Sequence, residues 1–195
     1  ELLPEIDHIR RHLNSLKAKA QQDFHRYLVV FSGEAQWVKE ILVSLLPELS
    51  ERHTLIVSDQ RLDMEGEFIK AKQVRSYLGS EVGRLVWNGF SGLNPDGIGA
   101  ASGLIKGGGL FFLMLPDFEK LTAQEDPDYL RMCGHPNELS DFGSRFLQRM
   151  AALIEADTSV SVFKQNSLSS HGSVSVENYT RQKNTLIEST QLTPD

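Results

Sequence analysis

Short apolar runs alternating with amphipathic stretches predict a doubly wound α/β fold, in which a mainly parallel five-stranded sheet carries helices on both faces and is preceded by an N-terminal helix. Three observations carry that expectation. The apolar runs are continuous, as in strands buried on both faces. The intervening segments place their apolar residues three and four apart, which is the period of a helix with one buried side. Strand and helix follow one another in strict order along the chain.

The first helix is expected from about Glu5 to Asp23, where Ile6, Ile9, Leu13, Leu16 and Ala20 fall on one side. Tyr27-Leu-Val-Val-Phe31 is the first strand, ending at Ser32-Gly33. The next helix buries Trp37, Val38, Ile41, Leu42 and Leu45 and stops near Pro47. Thr54-Leu-Ile-Val57 is a second strand, 68–77 is expected to be helical, and Arg84-Leu-Val-Trp87 is a third strand. Asn94 or Asp96 caps a helix running to about Ile105, which Gly107-Gly108-Gly109 is expected to stop. Leu110 to Leu115 is the most hydrophobic strand and the expected centre of the sheet. A long helix over 140–156 presents Phe142, Phe146, Met150 and Leu153, and a fifth strand is expected over 159–163. The pattern is Rossmann- or flavodoxin-like.

Composition bounds the function. The chain has 195 residues, 40% hydrophobic and 24% charged, with a mean hydropathy of -0.27. That is the profile of one globular domain rather than a disordered, collagenous or coiled-coil chain. The longest apolar stretch, Gly107 to Leu115, is strand-length and ends at Pro116, so no membrane partner is expected. The chain starts at Glu1 without a secretory leader and reads as a piece cut from something longer. Cys133 is the single cysteine, which excludes an internal disulfide or a cysteine-based zinc cluster and suits a cytoplasmic location.

The net charge of -6 has the wrong sign for gripping nucleic acid by phosphate neutralisation alone. Seven acidic residues against Lys120 and Arg131 between Pro116 and Asp141 make one lobe that repels phosphate. Two places are mildly basic: the first segment, with Arg10, Arg11, Lys17, Lys19 and Arg26, and the stretch Lys70, Lys72, Arg75. Either could form the edge of an RNA surface; the plainer reading of both is a solvated helix face.

Ligands of open parallel sheets bind beyond the carboxyl ends of strands. The residues there are Ser32-Gly33-Glu34, Ser58-Asp59, Asn88-Gly89-Phe90, Pro116-Asp117 and Gln165-Asn166, with Ser32, Gly33, Asn88 and Gly89 the candidate ligand contacts. Amides after Gly33 could hold an anion, but Glu34 puts a carboxylate where a phosphate would sit and reads better as a helix cap. Gly97-Ile-Gly-Ala-Ala-Ser-Gly103 approaches a dinucleotide fingerprint, yet Ser102 replaces its last glycine and the preceding strand is too distant; small residues packing a helix on the sheet explain it better. With no Gly-Lys dipeptide there is no P-loop. His8 and His12 lie four apart on a helix without a third ligand, so they read as surface histidines. Cys133 and His135 lack an orienting partner for nucleophilic catalysis. From residues alone no catalytic residue, cofactor site or metal site is legible.

Several segments nevertheless occur in a telling order: Arg26-Tyr-Leu-Val-Val-Phe-Ser-Gly-Glu34 with Trp37, Gly89-Phe-Ser-Gly-Leu-Asn-Pro-Asp96, and Ala101-Ser-Gly-Leu-Ile-Lys-Gly-Gly-Gly-Leu-Phe-Phe-Leu-Met-Leu-Pro116. Asp128-Tyr-Leu-Arg131, Phe142 to Leu153 and Val162-Phe-Lys-Gln-Asn166 follow. Together they make the chain resemble the N-terminal domain of the bacterial tRNA(Met) cytidine acetyltransferases over most of its first 166 residues. Thr180-Arg-Gln182 with Leu186-Ile187 looks like the helix that leads, in that family, into a helicase-like ATPase module. The shift in composition beyond Gln165 to Ser, Thr, Asn, Gln and His marks a Ser-rich linker over 167–178 after an α/β domain over 1–166, and the resemblance makes 179–195 the start of a connection to modules beyond it. It implies a parent enzyme that acetylates the wobble cytidine of elongator tRNA(Met) with acetyl-CoA, ATP and Mg²⁺. This piece would then be an accessory domain partnering the helicase-like and acetyltransferase modules of its own polypeptide, with no catalytic residue of its own. The alternative is a free-standing flavodoxin-like domain that binds or hydrolyses a small molecule at its strand ends.

Overall fold

The computed structural model describes residues 3–49, 53–123, 128–129, 145–165 and 167–171. Helix α1 (Leu3–Asp23) buries Ile9, Leu13, Leu16 and Ala20. It ends in a closing bond from the His25 N–H to the Ala20 carbonyl (3.1 Å), with Phe24 at φ 55°. That left-handed position normally takes glycine, and a side chain there costs about 1 kcal/mol.

Strand β1 (Tyr27–Ser32) leads to α2 (Ala35–Leu45), whose buried side is Trp37, Val38, Ile41, Leu42 and Leu45. Next come β2 (Thr54–Val57), β3 (Glu67–Ile69), a 3-10 helix (Ala71–Tyr77) and β4 (Val82–Asn88). Helix α3 (Pro95–Leu104) is capped by Asn94, whose side chain accepts from the Gly97 N–H, and is followed by β5 (Ile105–Leu115). Then follow α4 (Phe118–Ala123), α5 (Arg145–Ala156), β6 (Ser161–Lys164) and β7 (Ser167–His171). Among the described residues no helix is long and apolar enough to cross a membrane.

The sheet has seven strands in the order β3-β2-β4-β5-β1-β6-β7. The first six run parallel, and β7 is antiparallel to β6. The doubly wound parallel architecture is therefore as expected, and all five anticipated strands are present. Two more are added. Strand β3 and the 3-10 helix replace the helix expected over 68–77, and β7 lies in the serine-rich stretch. The Gly107-Gly108-Gly109 run does not stop a helix either; it lies within β5, where the β4–β5 register shifts. A Cβ on Gly109 would fall 2.5 Å from Ile105 Cγ2, and Gly108 has φ +83°, so this irregular stretch needs glycine. The last helix is described from Arg145, and residues 140–144 of its expected span lie outside the described residues.

Side chains alternate along the central strands between two cores. Phe111, Leu113 and Leu115 of β5 join Val30, Trp87 and Val162 beneath α3 and α5. Leu110, Phe112 and Met114 join Val29, Phe31 and Phe163 beneath α1 and α2. Arg84 is buried at the start of this sheet. Its Nε donates to Thr54 Oγ1 (2.8 Å), and one terminal nitrogen donates to the carbonyls of Leu46 and Leu49 (3.3 Å to Leu49). The guanidinium thus adds a donor to the carbonyls where α2 ends and holds that end against β2 and β4. Arg84→Met leaves those acceptors buried without this donor, and urea unfolding is expected to show a loss of about 2–3 kcal/mol. A change within about 0.5 kcal/mol, the range of ordinary surface substitutions, would remove this role.

Candidate functional site

The chain leaves β1 over the α2 face toward β2, and leaves β5 over the α5 face toward β6. Connections from these neighbouring strands thus depart on opposite faces, and the ends of β1, β5 and β6 gather around one crevice, the position where doubly wound sheets hold ligands. A cleft of about 570 Å³ opens there, lined by residues that include Ser32, Asp117, Glu119, Lys120, Glu155 and Lys164.

Several of its polar groups are engaged with one another. The Gly33 N–H donates to the Leu115 carbonyl (3.0 Å), and Ser32 Oγ donates to the Pro116 carbonyl (3.0 Å). Gln165 reaches back from the end of β6: its N–H donates to the Ser32 carbonyl (2.9 Å), and its Oε1 accepts from the Glu34 N–H (2.7 Å). Glu34 occupies the N-cap position of α2, but its side chain does not cap the helix, contrary to the sequence reading. It pairs with Lys120 instead, which also lies 3.8 Å from Asp117, and the Glu34 carboxylate raises the Lys120 pKa. Lys164 pairs with Glu155 at 2.6 Å and stands 4.7 Å above the Phe118 ring. Glu34, Asp117, Glu119 and Glu155 outnumber Lys120 and Lys164, so the field in the crevice disfavours a phosphate. Gly33 is tightly enclosed, since a Cβ there would lie 2.7 Å from Gln165 Cβ and 3.1 Å from Trp37 Cε3.

Asn88 and Gly89 end β4. Asn88 Nδ2 donates to Ser58 Oγ and Ser91 Oγ (3.0 Å each), and its Oδ1 accepts from the Phe90 N–H (3.2 Å). The side chain thereby ties the end of β2 to the turn after β4. Gly89 lies against the Met114 carbonyl, 2.4 Å from where a Cβ would stand. Lys70 and Lys72 border a separate cleft of about 380 Å³ with Asp59, Ser91, Asn94 and Asp128, while Arg75 faces Asp96 at 3.6 Å. Each of these cations therefore has carboxylates near it.

Other motifs take structural positions. In Gly97–Gly103 only Gly97 is pressed by the sheet, with a Cβ 2.7 Å from the Trp87 ring; Gly99 and Gly103 face open space, so close packing explains one glycine and not the run. His8 is exposed, whereas His12 is half-buried, shares a 2.7 Å hydrogen bond with Ser161 Oγ and meets the Phe163 ring edge-on. Burial lowers the His12 pKa from 6.5, with a smaller contribution from His8. Cys133, His135, Arg131, Phe142 and everything beyond His171 lie outside the described residues. Sequence reading missed the part Gln165 plays, because its partner is 131 residues away and only the β1–β6 pairing brings them together.

A family model described as tRNA(Met) cytidine acetyltransferase TmcA, N-terminal, matches residues 5–165. The chain is similar to the tRNA(Met) cytidine acetyltransferase TmcA of Nitrosococcus halophilus, 30% identical over 165 residues, which are 85% of this chain and 22% of that protein. Proteins of the same name from Pectobacterium atrosepticum and Haloarcula marismortui are 27% and 23% identical over 150 residues. Those matches cover 75% and 76% of this chain, and 21% and 19% of the two proteins. The chain thus spans about a fifth of the length of the curated relatives it matches.

Two outcomes are expected from the geometry. Gly33→Ala forces a methyl onto Gln165 and is expected to cost about 1–3 kcal/mol in denaturant unfolding, less in a Gln165→Gly background; additive losses would show that Gln165 is not what confines Gly33. The folded protein resists protonation of His12, so the contribution of this residue to stability is full above the unfolded value near 6.5 and declines as pH falls below it. His12→Gln is expected to flatten the fall of Tm below that pH, and an unchanged profile would assign the fall to other groups.

Proposed function

This chain belongs to the tRNA(Met) cytidine acetyltransferase N-terminal family, and on that premise we propose that it is the accessory domain of an enzyme that acetylates the wobble cytidine of elongator tRNA(Met). In this reading a cytosine amine, a poor nucleophile, must leave the anticodon stack before it attacks the thioester of acetyl-CoA. ATP with Mg²⁺ powers that rearrangement in a helicase-like module of the same polypeptide, and a separate module carries out acyl transfer in the cytoplasm. The domain packs on the helicase-like module and helps position tRNA, and none of its residues is assigned to acetyl-CoA, ATP or the metal.

One observation above all supports an accessory role: the crevice where a sheet of this topology would hold a nucleotide is occupied by its own hydrogen bonds. The N–H groups of Gly33 and Glu34, at the turn from β1 into α2, already donate to Leu115 and Gln165. Carboxylates outnumber cations around them, so an incoming phosphate meets both lost bonds and repulsion. Lys70, Lys72 and Arg75 form the basic edge proposed to face RNA; contact there exchanges Asp59, Asp128 and Asp96 for phosphates, which makes it a weak and salt-sensitive guide.

Differential scanning fluorimetry tests the first part. Neither Mg-ATP nor acetyl-CoA is expected to move Tm, whereas a ligand present at 100 times its Kd would add about 2.7 kcal/mol of stability. A clear shift with either would favour a free-standing small-molecule domain. Charge reversal at Lys70, Lys72 and Arg75 together is expected to weaken binding of a methionine tRNA transcript and flatten its salt dependence; unchanged affinity would remove this edge from the proposal.

A further inference from the structure

Phe24 is 79% exposed, the most exposed of the large hydrophobic side chains among the described residues, and it sits in a backbone conformation that disfavours a side chain. Folding alone explains neither feature, because glycine would close α1 at lower cost. Its backbone is nonetheless held firmly. The His25 N–H bonds to the Ala20 carbonyl, the Gly108 N–H donates to the His25 carbonyl (2.8 Å), and Lys17 Nζ donates to the Gly108 carbonyl (3.0 Å). Gly107 lets the corner approach closely, since a Cβ there would stand 3.1 Å from the Phe24 carbonyl oxygen.

The surroundings are basic, unlike the chain as a whole. Segments 14–33 and 103–116, which build this corner, contain Lys17, Lys19, Arg26 and Lys106 against a single acidic residue, Asp23, in a protein of net charge -6; the Lys17 and Lys19 ammonium groups are buried, so exposed Arg26 and half-exposed Lys106 are the cations they present. Arg26 Nε bonds to the Ile105 carbonyl, which fixes an exposed guanidinium two residues from Phe24. Lys19 Nζ lies 5.9 Å from the centre of the Tyr27 ring. A rigid, solvent-facing aromatic ring beside an exposed guanidinium and bare glycine backbone suits a stacked base with its phosphates nearby better than an apolar protein surface.

We propose that this corner, at the amino end of the sheet, is an RNA-contacting site in which Phe24 stacks on an unpaired base while Arg26 and Lys106 meet the adjoining phosphates. The inference rests on the reading of the chain as part of an RNA-modifying enzyme, and it locates a contact at the end of the sheet opposite Lys70 and Lys72.

The test is fluorescence anisotropy at low salt with this chain and two labelled RNAs, a hairpin with an unpaired loop and a blunt duplex of equal length, paired with Tm measurements. The loop RNA is expected to bind more tightly than the duplex. Phe24→Gly is expected to weaken that binding about tenfold, even as relief of the left-handed strain raises Tm by about 2–4 °C. Phe24→Trp is expected to retain binding. Loop binding that survives Phe24→Gly unchanged would overturn the site while leaving the RNA reading intact, and a fall in Tm on that substitution would make Phe24 a packing residue and overturn it as well. Failure of the unmodified chain to bind either RNA would remove the RNA reading, and this inference with it.

Discussion

Strand β5 has no solvent-facing side over its last eight residues, and this double burial governs the rest of the molecule. Each side chain from Leu110 onward enters one of the two cores in turn, so a slip of one residue would exchange the two complete sets of contacts. With the register so fixed, β1 and β4 have one place each on its flanks. Pro116 follows the last residue, and the carboxyl end of β5 becomes the reference against which the other strand ends are set. The Gly33 N–H meets the Leu115 carbonyl there, and Gly89 presses on the Met114 carbonyl.

The same continuity made most of the fold legible. Uninterrupted apolar runs of strand length, bounded by turn residues, fit strands covered on both sides, and helical spacing between them leaves few arrangements other than a doubly wound sheet. What escaped was short or non-local. Glu67-Phe68-Ile69 carries too few residues to show a period, and it is a strand only because Leu55, Ile56 and Val57 offer an open parallel edge. The triple glycine has the composition of a helix stop and the role of a strand irregularity, because the chain must pass α1 closely at that point. Glu34 stands where a cap belongs, but its own N–H is taken by Gln165 and Lys120 draws its carboxylate aside.

At the strand ends the sequence indicates positions without indicating their use. Ser32, Gly33, Asn88 and Gly89 were identifiable because topology selects carboxyl ends, whichever chemistry resides there. Their hydrogen bonds point inward: Ser32 and Gly33 join β1 to β5, and Asn88 joins β2 to the turn after β4. A crevice that in other doubly wound proteins receives a cofactor is here crossed by hydrogen bonds between the chain's own strand ends. Phe24 escaped for the opposite reason. A phenylalanine beside an apolar strand looks like core, and only the left-handed backbone at the end of α1 turns it outward.

The placing of β1 between β5 and β6 also sets a timetable for synthesis. Val30 pairs with Leu113 and Val162, so its two neighbours lie 83 and 132 residues further along the chain (113 − 30 and 162 − 30). While the ribosome makes those residues, the first and among the most apolar of the strands has neither edge hydrogen-bonded within the sheet. Such long-range parallel pairing folds slowly and leaves a sticky segment exposed. That exposure lasts until β6 has been made, and any pause in translation between β1 and β5 lengthens it.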